Sequence, residues 1–234
     1  LSRETWFWRY DGFTPITYED PAIQVGDRPF AAYMYVGHRT ESLASDGTNT
    51  LWAQWALGYL GPAVGGQQFQ NEIHRHTGGD NARGWRNQID DDLIAQLEVG
   101  YSHRLVRAGD VFDAQIELEL RGGTLYSDGA LGARLRLGLL EPPATTPELG
   151  QIYLWAGMQG RAVGFNATLE GGVLNDSVYT LSANQLERFV ATGQVGLTVE
   201  LGVVGFELSW NWISPEFEGA RSHRWALLAL TVYY

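Results

Sequence analysis

Ala114-Gln115-Ile116-Glu117-Leu118-Glu119-Leu120-Arg121 is followed, after a short break, by Leu131-Gly132-Ala133-Arg134-Leu135-Arg136-Leu137-Gly138-Leu139. In both stretches every second residue is apolar, and the residues between are charged, amidic or glycine. Successive side chains of a β-strand point to opposite faces, so this period of two predicts strands with one apolar and one polar face. The same alternation extends outward in both directions. Leu93, Ala95, Leu97, Val99 and Tyr101 alternate with Gln96, Glu98 and Ser102. Val195, Leu197, Val199 and Leu201 oppose Gln194, Thr198 and Glu200, and Val204, Phe206, Leu208, Trp210 and Trp212 oppose Glu207, Ser209 and Asn211.

A soluble β-sandwich would share this period. Its polar face, however, meets bulk water and tends to carry Lys and Thr, whereas here it carries Glu, Arg, Gln and Gly, the mixture that fills a narrow lumen. The runs are also long. A tilted strand needs about 9–11 residues to cross the hydrocarbon of a bilayer, against about 5–6 for a globular strand. Both features predict an all-β fold: a transmembrane, antiparallel, up-and-down β-barrel of about ten strands spanning 1–234 as one domain. Strands are expected near 3–10, 29–41, 49–60, 91–106, 110–122, 126–140, 149–166, 184–201, 203–213 and 222–234. Connections at 107–109 and 202 are tight, while 11–28, 61–90, 167–183 and 214–221 are long and fall on the same end. On the apolar face, Leu118, Leu135, Leu197 and Phe206 should point outward. On the polar face, Arg134 and Arg136 should find Glu117 and Glu119.

Composition agrees with a barrel in the bacterial outer membrane. Aromatic residues make up 12% of the chain, with nine tryptophans, and membrane barrels place Trp and Tyr at both lipid interfaces. The absence of cysteine excludes disulfides, zinc-thiolate sites and a thiol nucleophile. A formal charge of −11 argues against a nucleic-acid partner. The sequence opens directly on strand-like residues, so a secretory leader is expected to have preceded it. Leu228, Leu230, Val232 and Tyr234 alternate to a terminal aromatic, an ending similar to that by which outer-membrane barrels are recognised for assembly.

Residues 61–90 break the strand pattern. Gln67 to His76 lacks a β-branched run and is predicted to form a short helix at the outer rim, an extracellular loop. Gln70 and His74 stand four apart and share one face of it. Two readings of His74 stand side by side: a base in a site, or a rim histidine solvated or bonded to a carbonyl. His76 falls on another face. Asp90, Asp91 and Asp92 read as a solvated charge run more readily than as a cation site, and Asp27 and Arg28 as a structural pair at the rim.

The order of motifs resembles that of the LpxR-type lipid A deacylases. The matching pieces are Tyr10-Asp11-Gly12-Phe13-Thr14-Pro15, Gly26-Asp27-Arg28-Pro29-Phe30-Ala31, Gly61-Pro62 with Gly65-Gly66-Gln67, the Gln70-to-His74 spacing, and Gly84-Trp85 with Gln88. The aromatic C-terminus completes the series. The resemblance implies a calcium-dependent outer-membrane enzyme acting on lipid A (lipopolysaccharide), releasing its 3′-linked acyloxyacyl group. It makes His74 the general base, with Gln70 beside it in the site. It also implies about twelve strands, two of them ahead of Leu1 and carrying an Asn-Asp pair and an Asp-x-x-Ser/Thr element, where the Ca2+ ligands are expected. Two other classes remain open: a non-catalytic barrel serving as a scaffold or partner-binding protein, and a small pore. The pore is disfavoured, because Glu117, Glu119, Arg134 and Arg136 would largely fill so narrow a lumen.

Overall fold

The computed structural model describes residues 2–140 and 150–232. Ten antiparallel strands form one sheet in which each pairs with its neighbours in sequence, curled into a nearly closed barrel. They are β1 (Ser2–Phe13), β2 (Ala31–Leu43), β3 (Asn49–Leu60), β4 (Asp92–Ala108), β5 (Phe112–Gly123), β6 (Tyr126–Leu139), β7 (Gln151–Asn166), β8 (Phe189–Leu201), β9 (Val204–Ile213) and β10 (His223–Val232). The shortest strand has ten residues, roughly 33 Å of extended chain, which suffices to cross the hydrocarbon of a bilayer. No helix among the described residues is long and apolar enough to do so.

The long connections 14–30, 61–91, 167–188 and 214–222 all emerge at one end, and the turns 44–48, 109–111 and 202–203 lie at the other. These loop and turn ends match the sequence reading. Leu118, Leu135, Leu197 and Phe206 are all exposed on the outward face. Leu228, Leu230 and Val232 are exposed as well, while Tyr234 lies outside the described residues.

Inside, the polar face is a set of paired charges around a cavity of about 880 Å3. Asp128, whose side chain is 1% exposed, accepts a two-pronged contact from Arg121 (2.6 and 2.9 Å) and a further bond from Arg161. Arg161 in turn reaches Glu119 at 2.7 Å. Arg134 meets Glu117 at 2.8 Å, as expected. Arg136 departs from expectation: it binds Asp113, which also lies near Arg104. The reason is register. Arg136 sits directly opposite Asp113 on β5, whereas Glu117 faces Gly132 and Glu119 faces Ala130.

Glycine has a specific place in this interior. Trp52 lies so close over Gly100, and Trp155 over Gly196, that a Cβ at either position would collide with the indole. Each indole also carries a guanidinium over its ring, Arg39 at 4.0 Å and Arg134 at 4.4 Å from the ring centres. Toward the loop end the lumen closes on an apolar cluster of Ala31, Tyr33, Leu60, Ile89, Ile94 and Leu125.

Two outcomes follow from this partition. Asp128→Ala leaves Arg121 and Arg161 without their shared carboxylate in a buried setting, so unfolding by denaturant in bicelles should show a loss of about 3–5 kcal/mol. Leu118→Arg, at the middle of β5 on the outward face, should cost about 2–4 kcal/mol in the same assay. A negligible effect there would place Leu118 outside the hydrocarbon.

Candidate functional site

β3 ends where Gly61 takes a φ of +110°, a value that L side chains rarely adopt. Its N–H still extends the ladder to the Ala32 carbonyl at 2.8 Å. A 3-10 turn (Pro62–Val64) and the left-handed Gly65 then lead into helix α1 (Gly66–Thr77). The helix stops at Gly78, again left-handed, whose N–H donates to the His74 carbonyl. A second 3-10 turn (Gly84–Asn87) follows, and Ile89 rejoins the sheet by donating to the Phe30 carbonyl at 2.8 Å.

The helix spans the expected residues, and it packs on the outside of the barrel wall. Ala32 belongs to the outward series of β2 with Met34 and Val36, both exposed, yet Ala32 itself is fully buried. What covers it is Gly66 of α1 together with Trp85, within a cluster that also holds Phe30 and Ala82 and is flanked by Tyr10 and Tyr18. Phe69 meets Tyr10, from the outward series of β1, at a ring separation of 4.7 Å. The space beside α1 is therefore on the side that faces lipid and not on the side of the lumen.

Both predicted residues lie on this helix, half-buried. The Gln70 Oε1 accepts from Trp85 Nε1 at 2.7 Å. An indole N–H can only donate, so the amide oxygen is fixed toward Trp85 and the amide NH2 is turned the other way, free to donate. The Nδ1 of His74 bonds to the carbonyl of Asp80. A carbonyl can only accept, so Nδ1 carries the proton and Nε2 presents its lone pair. The carbonyl bond expected of a rim histidine is present, and it decides which ring nitrogen keeps its lone pair. The Tyr18 ring lies 5.5 Å from the imidazole. Partial burial, with Glu19 and Asp80 close by, raises the Tyr18 phenol above its ordinary pKa. The ring of His74 is further confined by Gly79, where a Cβ would come within 3.0 Å of it.

The other candidates serve the scaffold. His76 pairs with Glu72 at 3.0 Å, in the exposed second half of the helix. Asp91 accepts from the Ala63 N–H (2.7 Å), and the buried Asp92 accepts from Leu93 and Leu174 N–H groups (both 2.7 Å). These carboxylates tie loops together, a role a charge run does not announce. Asp27 accepts from the N–H groups of Ile16 (2.8 Å) and Arg28 (2.7 Å), while the Arg28 guanidinium reaches across to Glu216 at 3.4 Å. Sequence reading did not single out Tyr18 or the carbonyl of Asp80. The latter acts through its main chain, for which residue type carries no signal. No group of three or more His, Cys, Asp or Glu side chains able to hold a metal exists among the described residues, so these residues do not by themselves fit a calcium ion.

Comparison with known proteins follows the same line. No curated protein matches this chain. Its fold is similar to that of the solved structure of LpxR from Salmonella typhimurium, with a TM-score of 0.85 at 23% sequence identity, covering 100% of this chain and 84% of that one. The family described as Outer membrane protein LpxR matches residues 6–234, nearly the whole length, and the chain belongs to that family.

Proposed function

We propose that this barrel hydrolyses the ester joining the 3′-linked acyloxyacyl group to lipid A in the outer membrane, with His74 as general base and Gln70 as a donor to the substrate. The observation that carries the reading is the fixed tautomer of His74, held by the Asp80 carbonyl on a helix that rides on the outward wall. A base placed there meets a lipid ester without removing the lipid from its leaflet. In the reaction, Nε2 takes a proton from water as its oxygen attacks the ester carbonyl carbon. The amide N–H groups of Gln70 donate to the oxygen on which negative charge develops. The tetrahedral species collapses with cleavage of the bond to the sugar oxygen, and Nε2 returns its proton to that oxygen. The products are a free fatty acid, still carrying its secondary chain, and a sugar hydroxyl.

Calcium enters by family resemblance. The ion would polarise the ester carbonyl, and its ligands would come from beyond the described residues. The paired charges of the lumen give no support to a pore.

Mass spectrometry of lipid A from cells expressing the complete protein tests the reading. His74→Ala should lower release of the 3′-linked group by about 10²–10⁴-fold while the barrel keeps its heat-modifiable migration on gels. Gln70→Ala should do less harm. A chelator should suppress the wild-type reaction, and added calcium should restore it. Undiminished deacylation in His74→Ala would end the mechanism. An intact wild-type protein that is inactive at every calcium level would point to a non-catalytic barrel.

A further inference from the structure

We propose that Asn71 is a positioning residue for His74: its side-chain oxygen holds the returning chain where the Asp80 carbonyl meets Nδ1. The consequence for catalysis rests on the hydrolase reading, and the consequence for the imidazole does not.

The carbonyl that fixes the His74 tautomer belongs to an arc, residues 78–83, that leaves α1 and turns back beside it. Asp80 lies in no helix or strand, so its carbonyl stands where the two ends of the arc put it. At the near end, the N–H groups of Gly78 and Gly79 both donate to the His74 carbonyl, at 2.8 and 3.1 Å. At the far end, the Ala82 N–H donates to Asn71 Oδ1 at 3.0 Å, and the Arg83 N–H donates to the Tyr18 carbonyl at 3.0 Å. Of these hydrogen bonds, only the one to Asn71 uses a side chain. Residue type decides the existence of that bond alone.

Asn71 and His74 stand three apart on α1 and are neighbours on its surface. The residue that holds the arc and the residue that the arc orients therefore share one side of the helix. Position 71 is also interior to α1, where asparagine is less favourable than Gln, Glu or Lys because its short amide competes for backbone groups. Here that tendency is spent on a backbone N–H eleven residues further on. Ala82 is 1% exposed, and a buried N–H that loses its acceptor is costly. Without an acceptor at position 71 the arc has to open toward water, and Asp80, two residues before Ala82, moves with it. A freed imidazole places its proton on either nitrogen. The fraction that carries it on Nε2 has no lone pair there to take a proton from water.

Two-bond proton–nitrogen correlation spectra of the full protein in detergent micelles, isotopically labelled at the histidine ring nitrogens, read the tautomer directly. The His74 signals are assigned by their loss in His74→Gln. In the wild type the neutral ring should carry its proton on Nδ1. Asn71→Leu and Asn71→Ala should both give a mixture of tautomers, whereas Asn71→Asp, which keeps the oxygen, should retain the wild-type pattern. All three should keep heat-modifiable migration, since α1 lies outside the strand ladder. In turnover of lipid A, the two acceptor-free variants should lower kcat about 10–10²-fold with KM little changed, and Asn71→Asp should recover most of the loss. An unchanged tautomer in both acceptor-free variants would overturn the inference, as would a change that Asn71→Asp fails to reverse. A mixed tautomer with undiminished kcat would overturn the role in catalysis. The spectra need no turnover, so a mixed and rescued tautomer on a protein that never cleaves lipid A would retain the positioning and remove the hydrolase reading.

Discussion

A carboxylate sealed inside a barrel wall must be answered by a cation from the same interior, because the opposite face of every strand is apolar. Asp128 shows the constraint at its sharpest. Its side chain is nearly inaccessible, and guanidiniums from β5 and β7 converge on it across β6. Neither arginine is held by Asp128 alone, since Arg161 also binds Glu119 and Arg121 lies over the Tyr126 ring at 4.3 Å. Such a network is weak ground for a gain in stability over an apolar core, yet it penalises any shift of strand register that parts one charge from its partner. The register of β5 through β7 is thereby tied to the same few side chains that fill the lumen.

With the inside given over to paired charges, the proposed hydrolysis needs another place. The connection between β3 and β4 meets this by folding back over the outer wall. Its carboxylates and main-chain groups are spent on anchoring: Asp91 on the Ala63 N–H, Gly61 on the Ala32 carbonyl, Ile89 on the Phe30 carbonyl. Among the groups that remain unspent are the lone pair of His74 Nε2 and the amide N–H groups of Gln70. Both are oriented by partners that leave no choice of donor and acceptor, an indole N–H in one case and a carbonyl in the other.

Much of this fold is legible in the sequence because period-two alternation is a local property, and lipid on one side makes it strict. Strands such as β5 and β6 could be placed within a residue or two. The partner of Arg136 could not, because composition shows that charges must pair but not which row faces which. Asp113, beside the turn that opens β5, lies opposite Arg136. The helix and the common face of Gln70 and His74 were likewise readable from spacing. Their placement against the outward wall was not. It depends on Trp85, Gly66 and Ala32 meeting across more than fifty residues of chain, and no local pattern encodes that contact.

Gly66 fixes where His74 stands. A methyl group at this position would run into the Trp85 indole and would sit 2.8 Å from the Cβ of Ala32. Helix and wall thus touch where the helix has no side chain, and the clearance between them is the smallest the backbones permit. Any larger residue at position 66 would lift the start of α1 away from the strands and carry His74 with it. The absence of a single carbon atom thus sets how far the imidazole stands from the barrel wall, and with it which bonds of a molecule resting against that wall come within reach.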